Sequence, residues 1–177
     1  MKMISKMTLG TVQLGMEYGI NNTTGKPDMK AAHEILRTAL QNGITSLDTA
    51  NAYGDSENVI GSYLKQSNDS PFITTKFFTT SPPGKKSEDI EKEIYGYVEN
   101  SLQRLNVRKL DCLMLHRTID MTLHGRAVRN TLQKLINENY INLAGVSVYN
   151  PEDINTMLED DTYQAIQIPI NILDQRL

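Results

Sequence analysis

Short apolar runs alternate along the chain with longer stretches in which apolar residues recur every three to four positions. The short runs are typical of buried strands, and the longer stretches are typical of helices with one buried face. On this basis we predict six strands, separated by five helical stretches. The predicted strands cover residues 8–14, 44–50, 72–77, 110–115, 143–148 and 165–170.

The helical stretches also carry signals at their ends. Asp28 precedes the first stretch and is a favourable N-cap, and the second stretch covers residues 56–65. Ser87 can cap the third, and Leu132 marks the fourth. Asn150 is predicted to cap the last, whose first turn contains a proline. The apolar face of the third stretch consists of Ile90, Ile94, Val98, Leu102 and Leu105.

Strict alternation of strand and helix predicts a parallel sheet with helical crossovers, and therefore an α/β fold. The pattern alone leaves two architectures open, a doubly wound open sheet and a (β/α) barrel. Neither a low-complexity tract nor a linker divides the sequence, so we expect a single domain over residues 1–177.

The composition excludes several classes of function. Eighteen basic residues stand against 21 acidic ones, and the net charge of −3 argues against a nucleic-acid-binding protein. No apolar run approaches ~18 residues, so no membrane span is expected. The first 16 residues lack the continuous apolar stretch of a signal peptide. A single cysteine, Cys112, is typical of a reducing compartment. We therefore expect a cytoplasmic protein.

Three ionisable residues lie at the carboxyl ends of three successive predicted strands. Asp48 lies near the end of the second, Lys76 lies near the end of the third, and His116 follows the fourth. In a parallel barrel these ends form one rim, which is where active sites lie. Tyr53 follows Asp48 by five residues, so its loop can return over the same rim.

This set of side chains suits the reduction of a carbonyl group. A phenol titrates near ~10, and a nearby ammonium group favours the phenolate and lowers that pKa. Tyr53 can then donate a proton to a carbonyl oxygen beside Lys76, with Asp48 holding the ammonium and His116 orienting the substrate. Each of these residues alone also fits a structural role, such as a turn cap or a lysine at the rim. Only their joint placement favours chemistry.

Other motifs are absent or have simpler interpretations. No G-x-G-x-x-G follows the first strand, and neither an H-E-x-x-H motif nor a cysteine pair indicates a metal site. Cys112 is interpreted as a small buried residue of its strand. His33 and His124 lie on or near predicted helices and are interpreted as solvated.

Taken together, these segments resemble the aldo-keto reductase family, in its bacterial form and in the family's own order along the chain. The matching segments are Leu9–Gly15, Leu47–Ala50 leading to Tyr53 and Gly54, Thr74–Lys76, Leu113–Arg117, and Gly145–Ser147 followed by Gln167. The resemblance implies a TIM barrel that binds NADPH. It also implies a catalytic tetrad of Asp48, Tyr53, Lys76 and His116, with Tyr53 as the proton donor. Ser147 and Gln167 match positions that contact the nicotinamide carboxamide.

The chain differs from the family pattern in two respects. Val148 stands where the family commonly has an asparagine. A TIM barrel has eight strands in ~250 residues, whereas this sequence ends just after the sixth predicted strand. We therefore expect an incomplete (β/α) TIM-barrel type, with about six of eight strands. Strands seven and eight and the cofactor phosphate-binding loops are expected to be absent, and no phosphate-binding residue is assigned.

Three functions remain open from the sequence. The first is NADPH-dependent reduction of an aldehyde or ketone, by this chain or by an enzyme of which it is the N-terminal portion. The second is a catalytically inactive truncated barrel that self-associates through its exposed sheet edges or serves as an interaction module. The third is a nucleotide-sensing regulatory subunit. The retained tetrad favours the first, with a small carbonyl compound as partner and with neither nucleic acid nor membrane.

Overall fold

The computed structural model describes residues 2–177, and helices connect the successive strands. The strands are β1 (Leu9–Gly10), β2 (Ser46–Asp48), β3 (Phe72–Phe77), β4 (Leu110–Leu115), β5 (Ile141–Ser147) and β6 (Tyr163–Gln167). The helices are α1 (Val12–Gly15), α2 (Met29–Gln41), α3 (Ser56–Leu64), α4 (Ser87–Leu105), α5 (Ala127–Asn137) and α6 (Pro151–Leu158). A 3₁₀ turn at Thr118–Met121 follows β4.

The strands form one sheet in the order β1-β2-β3-β4-β5-β6. Parallel pairing joins β1 to β2, β2 to β3 and β5 to β6. Because helices connect the successive strands, this arrangement is the α/β fold that the sequence predicted. None of the helices in the described part of the chain has the length and apolarity needed to cross a bilayer.

The chain divides into two compact units. The first comprises residues up to Thr75 together with Glu99–Asp111. Its core is formed by side chains with 2% exposure or less: Leu36, Leu47, Ile60, Ile73 and Leu105. Within this core the carboxylate of Glu57 accepts a hydrogen bond from Thr75 Oγ1 at 2.6 Å and pairs with Arg104 Nε at 3.0 Å. The hydrogen bond and the ion pair together link α3 to β3 and α4 inside the first unit.

The second unit comprises Lys76–Val98 and Cys112–Leu177. Its fully buried side chains include Ile90, Ile94, Val98, Leu115, Leu132 and Val146. The helical period therefore identified the buried face of α4, although Leu102 at the end of that face is only half-buried. Cys112 in β4 is 1% exposed, which confirms it as a buried residue.

The first predicted strand is wrong beyond Gly10. The chain turns there into the short helix α1, because the backbone N–H and the hydroxyl of Thr11 both donate to the carbonyl oxygen of Asp48. Val12 and Leu14 are two positions apart, a spacing that fits a strand. The tertiary hydrogen bonds of Thr11 outweigh that local preference.

Three further strands differ from the prediction. β2 is shorter than residues 44–50, and β5 and β6 lie earlier than residues 143–148 and 165–170. Pro169 lacks the N–H that a sheet hydrogen bond requires, which is consistent with β6 ending at Gln167. Asn150 occupies the N-cap position of α6 as predicted, but its side chain makes no capping hydrogen bond.

Candidate active site

Asp48 was predicted near the end of its strand; it is the last residue of β2 and is half-buried. Its carbonyl oxygen accepts two hydrogen bonds from Thr11, at 3.0 Å from the backbone nitrogen and at 2.8 Å from the hydroxyl. In the parallel register Asp48 lies opposite Thr74 of β3. The backbone of Asp48 is thereby fixed on both sides.

Tyr53 lies in the turn between β2 and α3 and is half-buried. Its N–H donates to Ala50 at 3.0 Å, and its carbonyl oxygen accepts from the N–H of Ser56 at 3.1 Å. The turn packs tightly against α1, because a Cβ built on Gly15 would lie 1.8 Å from the carbonyl oxygen of Tyr53. Gly54 follows with a φ of +56°, which glycine adopts without strain.

Lys76 is the fifth residue of β3, two positions beyond Thr74, and is only 2% exposed. Lysine is almost never buried to this extent unless its ammonium group is paired. The structure therefore places the side chain of a lysine inside the protein near the carboxyl end of β3.

His116 immediately follows β4 and is half-buried. Its backbone N–H donates to the carbonyl oxygen of Phe77 at 2.7 Å. Phe77 directly follows Lys76, so this bond ties His116 to the carboxyl end of β3 within the second unit.

Ser147 and Gln167 are direct partners in the register of β5 and β6, at the last position of each strand. The N–H of Val148 donates to the carbonyl oxygen of Gln167 at 2.8 Å, which continues the pairing past Ser147. Side chains of paired residues in adjacent strands share one face of the sheet. A hydroxyl and a carboxamide are therefore side by side, and these groups can donate to and accept from a primary amide.

Residues just after β4 form a hydrogen-bonded cluster that the sequence did not indicate. Arg117 Nη2 donates to the carbonyl oxygen of Thr79 at 2.6 Å and to Asp120 Oδ1 at 2.8 Å. Asp120 is fully buried, and its hydrogen bond to Arg117 raises the pKa of that guanidinium further above its usual range. His124 Nε2 lies 3.0 Å from Thr79 Oγ1, so its interpretation as a solvated histidine is wrong.

The interpretation of His33 as solvated is also wrong. Its Nε2 lies 2.7 Å from Ser62 Oγ, and its ring packs edge-on against Tyr63 with 5.6 Å between centroids. Both partners belong to α3, so His33 joins α2 to α3 within the first unit.

Three hydroxyl residues next to the candidate site were also missed by the sequence reasoning. Thr11, Thr49 and Ser56 are each fully buried in the first unit. Thr49 follows Asp48 directly, and Ser56 is the first residue of α3. A hydropathy pattern treats such residues as weakly polar, so their only signal was their position beside Asp48 and Tyr53.

A cleft opens beside β1 within the first unit, with a volume of about 1360 Å³. It is lined by Gly10, Gln13 and Ile35 and by the loop that includes Tyr18 and Gly25. The cleft borders the carboxyl end of β1, where ligands bind in parallel α/β folds. Among the described residues, no group of three or more His, Cys, Asp or Glu side chains is arranged to hold a metal ion.

Comparison with known proteins points to one family. The sequence profile of the Aldo/keto reductase family matches residues 6–177. The chain is 29% identical over 181 residues to aldo-keto reductase YhdN of Bacillus subtilis (strain 168), an alignment that covers 98% of this chain and 52% of YhdN. The chain spans about half the length of the curated relatives it matches.

Solved structures agree with this fold. The chain is 26% identical to the holo form of aldo-keto reductase AKR11C1 from Bacillus halodurans, with a TM-score of 0.78, over 98% of this chain and 56% of that one. An aldo-keto reductase from Klebsiella pneumoniae, solved in complex with NADPH, is 22% identical with a TM-score of 0.70, over 94% and 55% of the two chains. The predicted incomplete (β/α) barrel type is confirmed, because the six strands of this chain align with about half the length of these solved structures.

Proposed function

The chain belongs to the aldo/keto reductase family, and from this premise we propose that Asp48, Tyr53, Lys76 and His116 reduce the carbonyl group of a small aldehyde or ketone with NADPH. The observation that carries the proposal is the burial of Lys76, a cation 2% exposed near the end of β3. A buried ammonium is costly unless a carboxylate compensates it. Asp48 ends the neighbouring strand and is the carboxylate we propose for that role.

The strand order supports a meeting of the four side chains. β2, β3 and β4 are consecutive in the sheet, and Asp48, Lys76 and His116 lie at or next to the carboxyl ends of these strands. Tyr53 lies in the turn after β2, and its carbonyl oxygen accepts a hydrogen bond from the first residue of α3. We propose that this turn presents the phenol to Lys76, which makes the phenol a stronger acid.

NADPH is the proposed cofactor, and it supplies a hydride to the carbonyl carbon when bound. Ser147 and Gln167 are proposed to hold its carboxamide, because their paired positions offer both donors and an acceptor. The Klebsiella pneumoniae relative with NADPH bound supports the choice of cofactor. We assign no residue to the cofactor phosphates.

The residues of the chain then handle the proton and the orientation of the substrate. His116 donates a hydrogen bond to the carbonyl oxygen and orients it. Tyr53 Oη gives its proton to that oxygen as negative charge develops there, so that the alkoxide leaves as an alcohol. Lys76 stabilises the phenolate that remains, and Asp48 keeps the ammonium in position.

Association with another chain is a further part of the proposal. β1 and β6 are the outer strands of the sheet, and unpaired edges favour pairing with other chains. After β6, Ile170, Ile172 and Leu173 are 62%, 88% and 93% exposed, although all three are apolar. We propose that this segment packs against a second copy, which sedimentation of the purified protein would detect as a dimer.

The reaction is tested with the purified chain, NADPH and a panel of aldehydes, by following the absorbance of the reduced cofactor. Tyr53→Phe is expected to lower kcat by about 10²–10⁴-fold, because it removes the general acid. Tyr95→Phe is the matched control, since the hydroxyl of Tyr95 instead donates to Glu138 at 2.6 Å between α4 and the end of α5.

Three outcomes separate the functions that the sequence left open. Turnover that depends on Tyr53 and survives in the Tyr95 control supports the reductase. Fluorescence of bound NADPH without turnover supports a nucleotide-sensing subunit instead. Wild type and Tyr53→Phe that are equally inactive, with no cofactor bound, would refute the proposed function.

A further inference from the structure

Three fully buried hydroxyl groups meet within the first unit where β1, β2 and α3 converge. They belong to Thr11, Thr49 and Ser56, each of which has 0% exposure. Thr11 follows β1, Thr49 follows β2, and Ser56 begins α3. A buried hydroxyl without a partner is costly, so three together require a complete set of hydrogen bonds.

The three hydroxyls form one hydrogen-bond network, in which each donates to the next. Thr49 Oγ1 donates to Ser56 Oγ at 3.0 Å. Ser56 Oγ then donates toward Thr11, with Oγ1 at 2.7 Å and the carbonyl oxygen at 2.9 Å. Thr11 Oγ1 donates to the carbonyl oxygen of Asp48 at 2.8 Å. Each hydroxyl has one hydrogen to give, and Ser56 shares its hydrogen between two acceptors, so these four contacts use all three hydrogens.

Both ends of this hydrogen-bond network lie next to residues of the proposed site. The final acceptor is the backbone of Asp48, and the first donor, Thr49, is the next residue along. The middle member, Ser56, also donates its backbone N–H to the carbonyl oxygen of Tyr53. One buried network thus ties the end of β2 to the turn that carries the phenol.

We propose that Thr11, Thr49 and Ser56 are positioning residues, which hold Asp48 and Tyr53 in the relative geometry that proton transfer requires. This inference rests on the proposed function, because it assigns the three hydroxyls to the same site. None of them needs to touch substrate or cofactor. Their loss should slow the chemical step and leave binding unchanged, since a misplacement of ~1 Å can cost ~10²-fold in rate.

The test compares variants that remove each hydroxyl with variants that keep it. Thr49→Val and Thr11→Val preserve the shape of the side chain without its hydroxyl, whereas Thr49→Ser and Thr11→Ser retain the hydroxyl. We expect the valine variants to lose about tenfold or more in kcat with KM for the carbonyl substrate nearly constant, and the serine variants to recover most of it. Ser56→Ala is the second variant, in case a valine variant does not fold.

The outcomes distinguish this inference from the proposed function. If the wild type turns over and the valine variants and Ser56→Ala match its kcat, the inference is overturned and the proposed function stands. Serine variants that are as slow as the valine variants also overturn it, because packing rather than the hydroxyl would then matter. A wild type without turnover overturns both.

Discussion

The closest backbone approach at the proposed site offers a direct test of how tightly the Tyr53 turn is held. In Gly15→Ala the new Cβ would lie 1.8 Å from the carbonyl oxygen of Tyr53 and 2.4 Å from the nitrogen of Ser56. Real Cβ atoms essentially never approach another atom within 3.0 Å, so the turn must retreat by 1.2 Å, the difference between 3.0 and 1.8 Å. The turn and α1 cannot both keep their present positions.

The energetic cost follows from the bonds that this shift strains. The N–H of Ser56 donates to Tyr53 at 3.1 Å, and the N–H of Asp55 donates to Gly15 at 3.1 Å. Loss of these two bonds together with overpacking should lower the free energy of unfolding by about 2–4 kcal/mol. For a chain of this size that corresponds to a fall in Tm of roughly 4–16 °C. The same displacement of Tyr53 should lower kcat by about 10²-fold.

Thermal unfolding followed by circular dichroism, together with kcat for the best aldehyde of the panel, measures both effects. Gly96→Ala is the matched control, because a Cβ on Gly96 in α4 meets no atom within 4 Å. That control should gain about 0.5–1 kcal/mol, since alanine favours a helix interior over glycine. A Gly15→Ala protein with wild-type Tm and kcat would refute the close packing of α1 against the turn.

Three further predictions concern the first unit. Leu36→Ala should lower the free energy of unfolding by about 2–5 kcal/mol in urea titration, whereas the adjacent Ile35→Ala, whose side chain is 42% exposed, should cost far less. Arg104→Met leaves the buried carboxylate of Glu57 without its ion partner and should lower the free energy of unfolding by about 3–5 kcal/mol. An unchanged urea midpoint would contradict this. Burial, with the hydrogen bond to Asp69, raises the pKa of Tyr63 from 10.0 to about 12. The contribution of Tyr63 to stability is therefore complete below pH 10 and lost as the pH rises toward 12; Tyr63→Phe should abolish that dependence, and the same slope in both proteins would be the contrary result.

The elements that the sequence predicted best are those whose local pattern agrees with their environment. β3 and β4 match their predicted bounds, because each is a short run buried almost throughout and followed by a polar segment. Asp28 caps α2 as expected, with its carboxylate accepting from the N–H of Ala31 at 2.7 Å. In these cases propensity, burial and turn chemistry favour one structure.

The pattern failed where distant residues decide the local conformation. The pattern of residues 11–15 fits a strand equally well, but Thr11 forms hydrogen bonds to Asp48, 37 positions away, and the helix begins directly after it. The 3₁₀ turn after β4 depends likewise on the buried side chain of Asp120, whose partners include Thr79. Single-sequence periodicity contains no term for such contacts.

The candidate site was partly predictable for a different reason. The predicted strands placed Asp48, Lys76 and His116 at or near strand ends, and the structure has them there. The buried hydroxyl network was not predictable, because threonine and serine are common on surfaces as well as in cores. Only the coordinates reveal that Ser56 and its two partners are sealed from water.

Because Cys112 in β4 is buried, the rate at which its thiol is labelled can report on unfolding. Its thiol is 1% exposed and is the sole sulfhydryl in the sequence. A thiol-reactive dye should therefore label the protein only as fast as this central strand opens. A cysteine introduced at an exposed position would meanwhile be labelled at once, so that one fluorophore can be attached selectively while the native cysteine is kept.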